Sequence, residues 1–180
     1  LNSGVTESIG VTSSVEICPF DCPDLGLYFG DACDDGNPNT FDDIVGDNCV
    51  CAGTPVNDDC ADALSIVCGE TASGSTLGAT ADATLPLCGI FLTTAPGVWY
   101  SLTGYSGLIS VTTCSEDGPE YDTMLGVFSG SCEALVCIDG NDDGDVPDLD
   151  CTIGDATFIR ASFVEFEASA DETYLIYVTG

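Results

Sequence analysis

ASFVEFEASADETYLIYVTG, residues 161–180, decides the fold class. In its first half Val164, Phe166 and Ala168 alternate with Glu165 and Glu167. That is the period-two pattern of an antiparallel strand with one face buried and one in water. Its second half, TYLIYVT (173–179), is rich in β-branched and aromatic residues and predicts a second strand. Working back along the chain, similar runs recur at LSIV (64–67), GVWYSLT (97–103), LISVTT (108–113), TMLGVFS (123–129) and ALVCI (134–138). Gly-rich and Asp-Gly turn signals separate them. No long stretch has a 3.6-residue period, and the best helical candidate is the short DDCADAL (58–64). Many short strands with Gly-rich turns predict an all-β fold, an antiparallel β-sandwich of jelly-roll type. Trp99 is expected in its core.

Upstream the composition changes. Residues 18–55 are dominated by Cys, Asp, Gly, Asn and Pro and read as a loop module. Residues 1–17, LNSGVTESIGVTSSVEI, show partial alternation and read as one strand or two short ones. The expected organisation is therefore an N-terminal strand (1–17), a Cys/Asp-rich module (18–55) and a β-domain (56–180).

Charge and cysteine content bound the function. The chain has 31 acidic residues, one base (Arg160) and a formal net charge of −30. Its hydrophobic fraction is 44%, so it lacks the low hydrophobicity of a disordered acidic tail. It should fold, but against strong self-repulsion unless cations neutralise it. Nucleic acid and anionic membranes are poor partners, because phosphate binding needs basic side chains. No apolar run is long enough to span a bilayer, and no Asn-x-Ser/Thr acceptor is present. Twelve cysteines, Cys18, Cys22, Cys33, Cys49, Cys51, Cys60, Cys68, Cys88, Cys114, Cys132, Cys137 and Cys151, predict a disulfide framework formed in an oxidising, extracellular compartment. Zinc is the rival reading, but histidine is absent and the Cys49-x-Cys51 pair has no matching second pair. Twelve cysteines allow on the order of ten thousand pairings, so spacing alone assigns none.

The acidic residues are not evenly spread. Between Gly30 and Cys51 lie six aspartates, three asparagines and three cysteines. Asp31, Asp34, Asp35, Asn37, Asn39, Asp42 and Asp43 offer oxygen ligands at spacings that suit a hard cation such as calcium. Gly36 permits a sharp turn among them and Pro38 stiffens it. The spacing is not that of an EF-hand. The bland alternative is a solvated acidic turn. A second cluster, GNDDGDVPDLDC (140–151), offers Asp142, Asp143, Asp145, Asp148 and Asp150, with Asp139 and Asn141 at its edge. Asn57 or Asp58 is expected to cap the short helix. Tyr105, in TGYSG, is the candidate for an exposed contact. Asp122-Thr123-Met124 matches a short bacterial O-glycosylation pattern.

Several motifs fall in a familiar order: NDDCADAL (57–64), APGVWYSLTG (95–104), ISVTTC (109–114), YDTMLGVFSGSC (121–132), the Cys137 to Asp143 segment and ETYLIYVTG (172–180). Together they resemble the pre-peptidase C-terminal and CUB-like β-sandwich domains of secreted and surface-attached bacterial proteins. Residues 22–54 resemble a thrombospondin type 3-like calcium-binding module. The resemblance implies that Asp122 meets Asp142 and Asp143 around one calcium ion. It also implies a further strand after YLIYVTG, for which residues 1–17 are a candidate. Reading 172–180 into 1–19 makes a natural hairpin, with Gly180, Asn2, Ser3 and Gly4 at the turn. The chain then reads as one period of a head-to-tail array, in which residues 1–17 complete the sandwich of the preceding unit. The units are either joined covalently or linked by donated strands, and either contact fails to close and builds a filament.

Catalysis is not expected. Histidine and lysine are absent, which removes histidine-based triads, Schiff bases and Lys–Asn isopeptide crosslinks. The expected function is a structural repeat of an extracellular filament or giant surface adhesin on the cell surface, braced by disulfides and calcium, with copies of itself as partners. The alternative is an accessory module that binds carbohydrate or a surface ligand such as a surface glycan. Adaptation to high salt is a third reading, but it predicts scattered rather than clustered acids.

Overall fold

The computed structural model describes residues 20–82, 85–89, 95–114, 121–144 and 161–180. The N-terminal segment 1–17, Cys18, Asp145, Asp148, Asp150, Cys151 and Arg160 lie outside them. Nine strands are formed: β1 (Thr40–Val45), β2 (Cys51–Pro55), β3 (Leu64–Ser65), β4 (Gly97–Thr103), β5 (Gly107–Thr112), β6 (Met124–Ser131), β7 (Ala134–Asn141), β8 (Phe163–Ala168) and β9 (Thr173–Thr179). Among the described residues there is no α-helix. The expected helix at 58–64 is only a 3-10 turn over Cys60–Asp62, without a side-chain cap. Asp58 instead clamps a distant loop: its two carboxylate oxygens accept from the Thr80 amide (2.6 Å) and hydroxyl (2.8 Å).

The protein is nearly all β. A five-stranded sheet has the order β3-β4-β9-β6-β7, antiparallel except for the β3–β4 pair. A second, antiparallel pair is formed by β5 and β8. Strand β9 lies third in the large sheet, and Tyr174, Leu175, Ile176 and Tyr177 are all buried. This explains its continuous apolar run, because both of its faces are covered. Strand β8 keeps its alternation: Val164 and Phe166 are buried while Glu165 and Glu167 are exposed.

Two apolar clusters divide along β4 and β9 by parity. Val98, Tyr100 and Leu102 of β4, Leu125 and Val127 of β6, and Tyr174 and Ile176 of β9 join Val164 and Phe166 of β8, with Ile109 and Val111 of β5 against them. Trp99, Phe128, Leu175 and Tyr177 form the other cluster with Cys88, and Cys60, Leu85, Cys132 and Cys137 pack on it. Because successive strand residues point to opposite faces, these are the two sides of one sheet. Trp99 is fully buried, with ring centroids 4.7 Å from Tyr177 and 5.9 Å from Phe128. Asn57 fastens the chain to this strand: its Nδ2 donates to the Trp99 carbonyl (2.8 Å) and its own carbonyl accepts the Trp99 amide (2.8 Å). Tyr105 is half-buried against the first cluster, contrary to the expectation of an exposed contact.

One face is thus covered by the β5–β8 pair, and the other by irregular chain that two disulfides hold in place, Cys60–Cys132 and Cys88–Cys137. Irregular chain buries little of its own apolar surface and cannot fix its register through a ladder. Cross-links that restrict the unfolded chain replace that cooperativity.

The chain separates into two compact units, residues 1–38 with 42–53, and residues 39–41 with 54–180. The smaller has its own bridges, Cys22–Cys49 and Cys33–Cys51. The region expected to be loop contains the paired strands β1 and β2. Cys114 is also disulfide-bonded. Cys68 departs from the expected framework: its thiol is free and exposed. It sits in a turn closed by the Glu70 amide on the Val67 carbonyl.

Truncating Leu125, fully buried between the β5–β8 pair and the large sheet, to alanine is expected to cost about 2–5 kcal/mol. Leu108→Ala, on the outer side of β5 and 60% exposed, should stay within about 0.5 kcal/mol. Denaturant unfolding of the oxidised protein measures both.

Candidate metal centres

The first centre is built by the smaller unit. Strand β1 carries Asp43, and the chain entering at Cys33 runs beside it, with the Cys33 amide donating to the Asp43 carbonyl (3.1 Å). The Cys33–Cys51 bridge fixes that approach. The next two residues turn on their own carboxylates: Asp34 Oδ1 accepts the Gly36 amide (2.8 Å) and Asp35 Oδ1 the Asn37 amide (2.7 Å). These Asx turns explain the order Asp-Asp-Gly-Asn, with Gly36 at φ +75° where a side chain would be strained. Asp43 Oδ2 accepts the Asp35 amide (2.9 Å). One carboxylate oxygen from each of Asp34, Asp35 and Asp43 then lies within 4.8 Å of the others.

Asp43 Oδ1 is buried and has no hydrogen-bond partner. A carboxylate oxygen removed from water without a donor costs free energy that a cation would offset. The donor set, all hard oxygen, fits calcium: Asp34, Asp35 and Asp43 would hold the ion and leave its other positions to water or backbone oxygens.

Of the seven expected residues, Asp34, Asp35 and Asp43 are the carboxylates brought together. The Asp31 carboxylate accepts the Tyr28 amide (2.8 Å), and its carbonyl accepts the Val45 amide (3.0 Å), so it closes a turn outside the triad. Asp42 is exposed at φ +56°, also outside it. The Asn37 amide serves the Asx turn, and the Asn39 carbonyl accepts the Val56 amide (2.9 Å).

The second centre arises from strand pairing. Strands β6 and β7 pair with Leu125 opposite Asn141, so the residues before β6 meet those after β7. Asp122, Asp142 and Asp143 thereby bring carboxylate oxygens within 4.8 Å of one another. This is the trio that the family resemblance implies. Asp145 lies outside the described residues.

Behind the trio is a hydroxyl network that the sequence reading missed. Ser162 is fully buried, and its Oγ lies 2.5 Å from the Thr123 carbonyl and 2.6 Å from the Asp142 carbonyl. Thr113 and Thr123 hydroxyls are 2.6 Å apart, and Thr113 Oγ1 accepts the Ser162 amide (2.8 Å). Asn141 Oδ1 accepts the Phe163 amide (3.0 Å), and the Gly144 amide donates to the Ala161 carbonyl (2.9 Å). Two chain segments that carry the acids are therefore tied to one buried serine. Only the small hydroxyl residues at strand ends hinted at it. Thr123, the matched O-glycosylation position, is 2% exposed, which places it out of reach of a transferase in the folded chain.

Compared with family models, curated proteins and solved structures, the chain finds no match. The likeness to secreted bacterial β-sandwich domains rests on its motifs alone.

Burial pushes the Asp142 carboxyl above its ordinary value, and the Asp143 and Asp122 charges add to the shift. A raised acid binds its proton more tightly folded than unfolded. In metal-free protein, ionising Asp142 therefore destabilises the fold. That penalty is full above the folded value and vanishes below the unfolded value of about 3.9. Asp142→Asn should raise the melting temperature in chelator at pH 7, and this gain should disappear as the pH is lowered through that window. The same substitution should weaken cation binding, read by terbium luminescence.

Proposed function

We propose that this chain is a structural repeat of an extracellular bacterial filament or giant surface adhesin, assembled head to tail and braced by disulfides and calcium. In this reading the larger unit is a β-sandwich of jelly-roll type, and the smaller unit is a calcium-stiffened spacer. The work is mechanical: each bridge restricts the unfolded chain, typically by 2–4 kcal/mol, and each bound ion favours the folded state in proportion to occupancy. The absence of histidine and lysine from the whole chain suits a noncatalytic role.

The observation that carries the assembly is the incomplete second layer. A two-stranded pair, β5–β8, lies against a five-stranded sheet, and its outer edges have no strand partner among the described residues. A donated strand fits such an edge, with backbone hydrogen bonds supplying affinity. Residues 1–17 of a neighbouring copy are the proposed donor. A single-sign surface of this charge repels other copies, so calcium would serve the contact as well as the fold.

One observation favours the alternative, a carbohydrate- or surface-binding module. The smaller unit exposes Phe20, Tyr28 and Phe29, with the Phe20 and Tyr28 rings 5.1 Å apart. Exposed aromatic faces suit sugar rings, and binding of glycans lost on Tyr28→Ala would support that reading.

Calcium at about one hundred times its dissociation constant contributes about 2.7 kcal/mol per site. For a chain of this size that is a rise in melting temperature of about 5–10 °C over chelator. Sedimentation in calcium should show species well above 18.5 kDa. A compact monomer in calcium, melting as it does in chelator, would overturn the proposal.

A further inference from the structure

The Cys33–Cys51 bridge closes directly onto the first carboxylate triad. Cys33 immediately precedes Asp34 and Asp35, two members of the triad. Its amide donates to the carbonyl of Asp43, the third (3.1 Å), and Asp43 Oδ2 accepts the Asp35 amide (2.9 Å). One residue earlier, Ala32 pairs with Ile44 of β1 in an isolated antiparallel bridge. Cys51 opens β2, the strand paired with β1. The two sulfurs therefore tie the segment bearing Asp34 and Asp35 to the small sheet that carries Asp43.

Opposing forces meet at this junction. Repulsion among three carboxylates whose oxygens lie within 4.8 Å drives the segment away from β1. The bridge holds it in place. A cation would act in the same sense as the bridge, because it draws all three oxygens to one point. Apart from the clustering, Asp43 Oδ1 is buried with no hydrogen-bond partner, and a cation would satisfy it.

The other bridge of the smaller unit is placed differently. Cys22 stands in a turn closed by its own amide on the Leu27 carbonyl (3.0 Å), and that turn contains no triad residue. Cys22 is 1% exposed. Cys33 and Cys51 are each only half-buried, within reach of an external thiol.

We propose that the Cys33–Cys51 bridge and the first calcium seat form one redox-sensitive device: the closed bridge tightens calcium at Asp34, Asp35 and Asp43, and bound calcium holds the bridge closed against reduction. The inference rests on the calcium reading of that triad. Linkage makes the two effects equal in size: the factor by which closing the bridge tightens calcium is the factor by which calcium favours the closed bridge. The smaller unit is then stiff only where its surroundings are both oxidising and rich in calcium, and loss of either condition weakens the other hold.

Opening is thiol–disulfide exchange with a small thiol such as glutathione. Its thiolate attacks one bridge sulfur, and the other cysteine leaves as a thiolate that takes up a proton. A second glutathione thiolate attacks the glutathione sulfur of the mixed disulfide and releases the first cysteine. Cys33 and Cys51 gain two electrons and two protons, and two glutathione thiols are oxidised to one disulfide.

The test equilibrates the full chain in glutathione buffers of graded poise, in calcium or in chelator. Differential alkylation and mass spectrometry then read the reduced fraction of each bridge. Calcium at about one hundred times its dissociation constant should favour the closed Cys33–Cys51 bridge by at least about fivefold, with a ceiling of about 100-fold. The shift should be lost in Asp43→Asn, kept in Asp122→Asn, and smaller at Cys22–Cys49. In the reciprocal arm, Cys33→Ser/Cys51→Ser in an Asp122→Asn chain should weaken terbium binding, read by luminescence, by a similar factor. If that variant does not fold, the glutathione arm on the natural chain decides alone. Terbium held by the oxidised Asp122→Asn chain and released by adding Asp43→Asn, with a Cys33–Cys51 equilibrium indifferent to calcium, would overturn the inference and leave the calcium reading standing. Equal shifts at both bridges would also overturn it, since calcium would then act on the whole unit. No terbium held by the oxidised Asp122→Asn chain would overturn both.

Discussion

Mutual repulsion among carboxylates is the constraint on which the rest of this structure depends. With 31 acids and one base there is almost no internal countercharge. Two like charges 4 Å apart repel by about 1 kcal/mol in water and about 4 kcal/mol at the effective dielectric of a protein surface. The fold nevertheless brings three carboxylates together twice, at Asp34, Asp35 and Asp43 and at Asp122, Asp142 and Asp143. In the first, backbone amides partly compensate, and one buried oxygen is left with no donor. In the second, burial and like charge raise the Asp142 carboxyl. Both arrangements are costly to the bare protein and favourable to a hard cation, which is the physical basis of the proposed calcium dependence.

Disulfides and hydrogen-bonded clamps keep those acids where repulsion would part them. The Cys33–Cys51 bridge holds the entry to the first triad against β1 and β2. Ser162 ties the segments bearing the second to a buried point. The same division of labour is visible in the core. The face of the large sheet covered by strands has no bridge among its cluster residues, and the face covered by irregular chain has two.

The larger unit was legible because its strands carry local signals. GVWYSLT and TYLIYVT match β4 and β9 residue for residue, and the Glu alternation of 163–168 matches the exposure of β8. Strands β1 and β2 were not legible. TFDDIV and CAGTP hold aspartate, glycine and proline, which disfavour strands, and the bridge that anchors the start of β2 comes from Cys33, 18 residues back and outside β1. The helix expected at 58–64 gave way because Asn57 and Asp58 are spent on tertiary hydrogen bonds to Trp99 and Thr80. Of the acidic residues, composition pointed to the right stretches, while which of them converge depended on strand register. Asp31 and Asp34 look equivalent in sequence, yet one closes a turn and the other faces Asp43. The clamp at Ser162 joins residues 20 to 50 positions apart and leaves no local trace.

The central claim is that the two carboxylate triads are cation seats. Native mass spectrometry of the oxidised chain across a calcium titration tests it most directly. The account predicts two tightly held ions that saturate before weaker adducts appear, one lost in Asp43→Asn and the other in Asp122→Asn. A graded series of adducts with no plateau, identical in both variants, would contradict it.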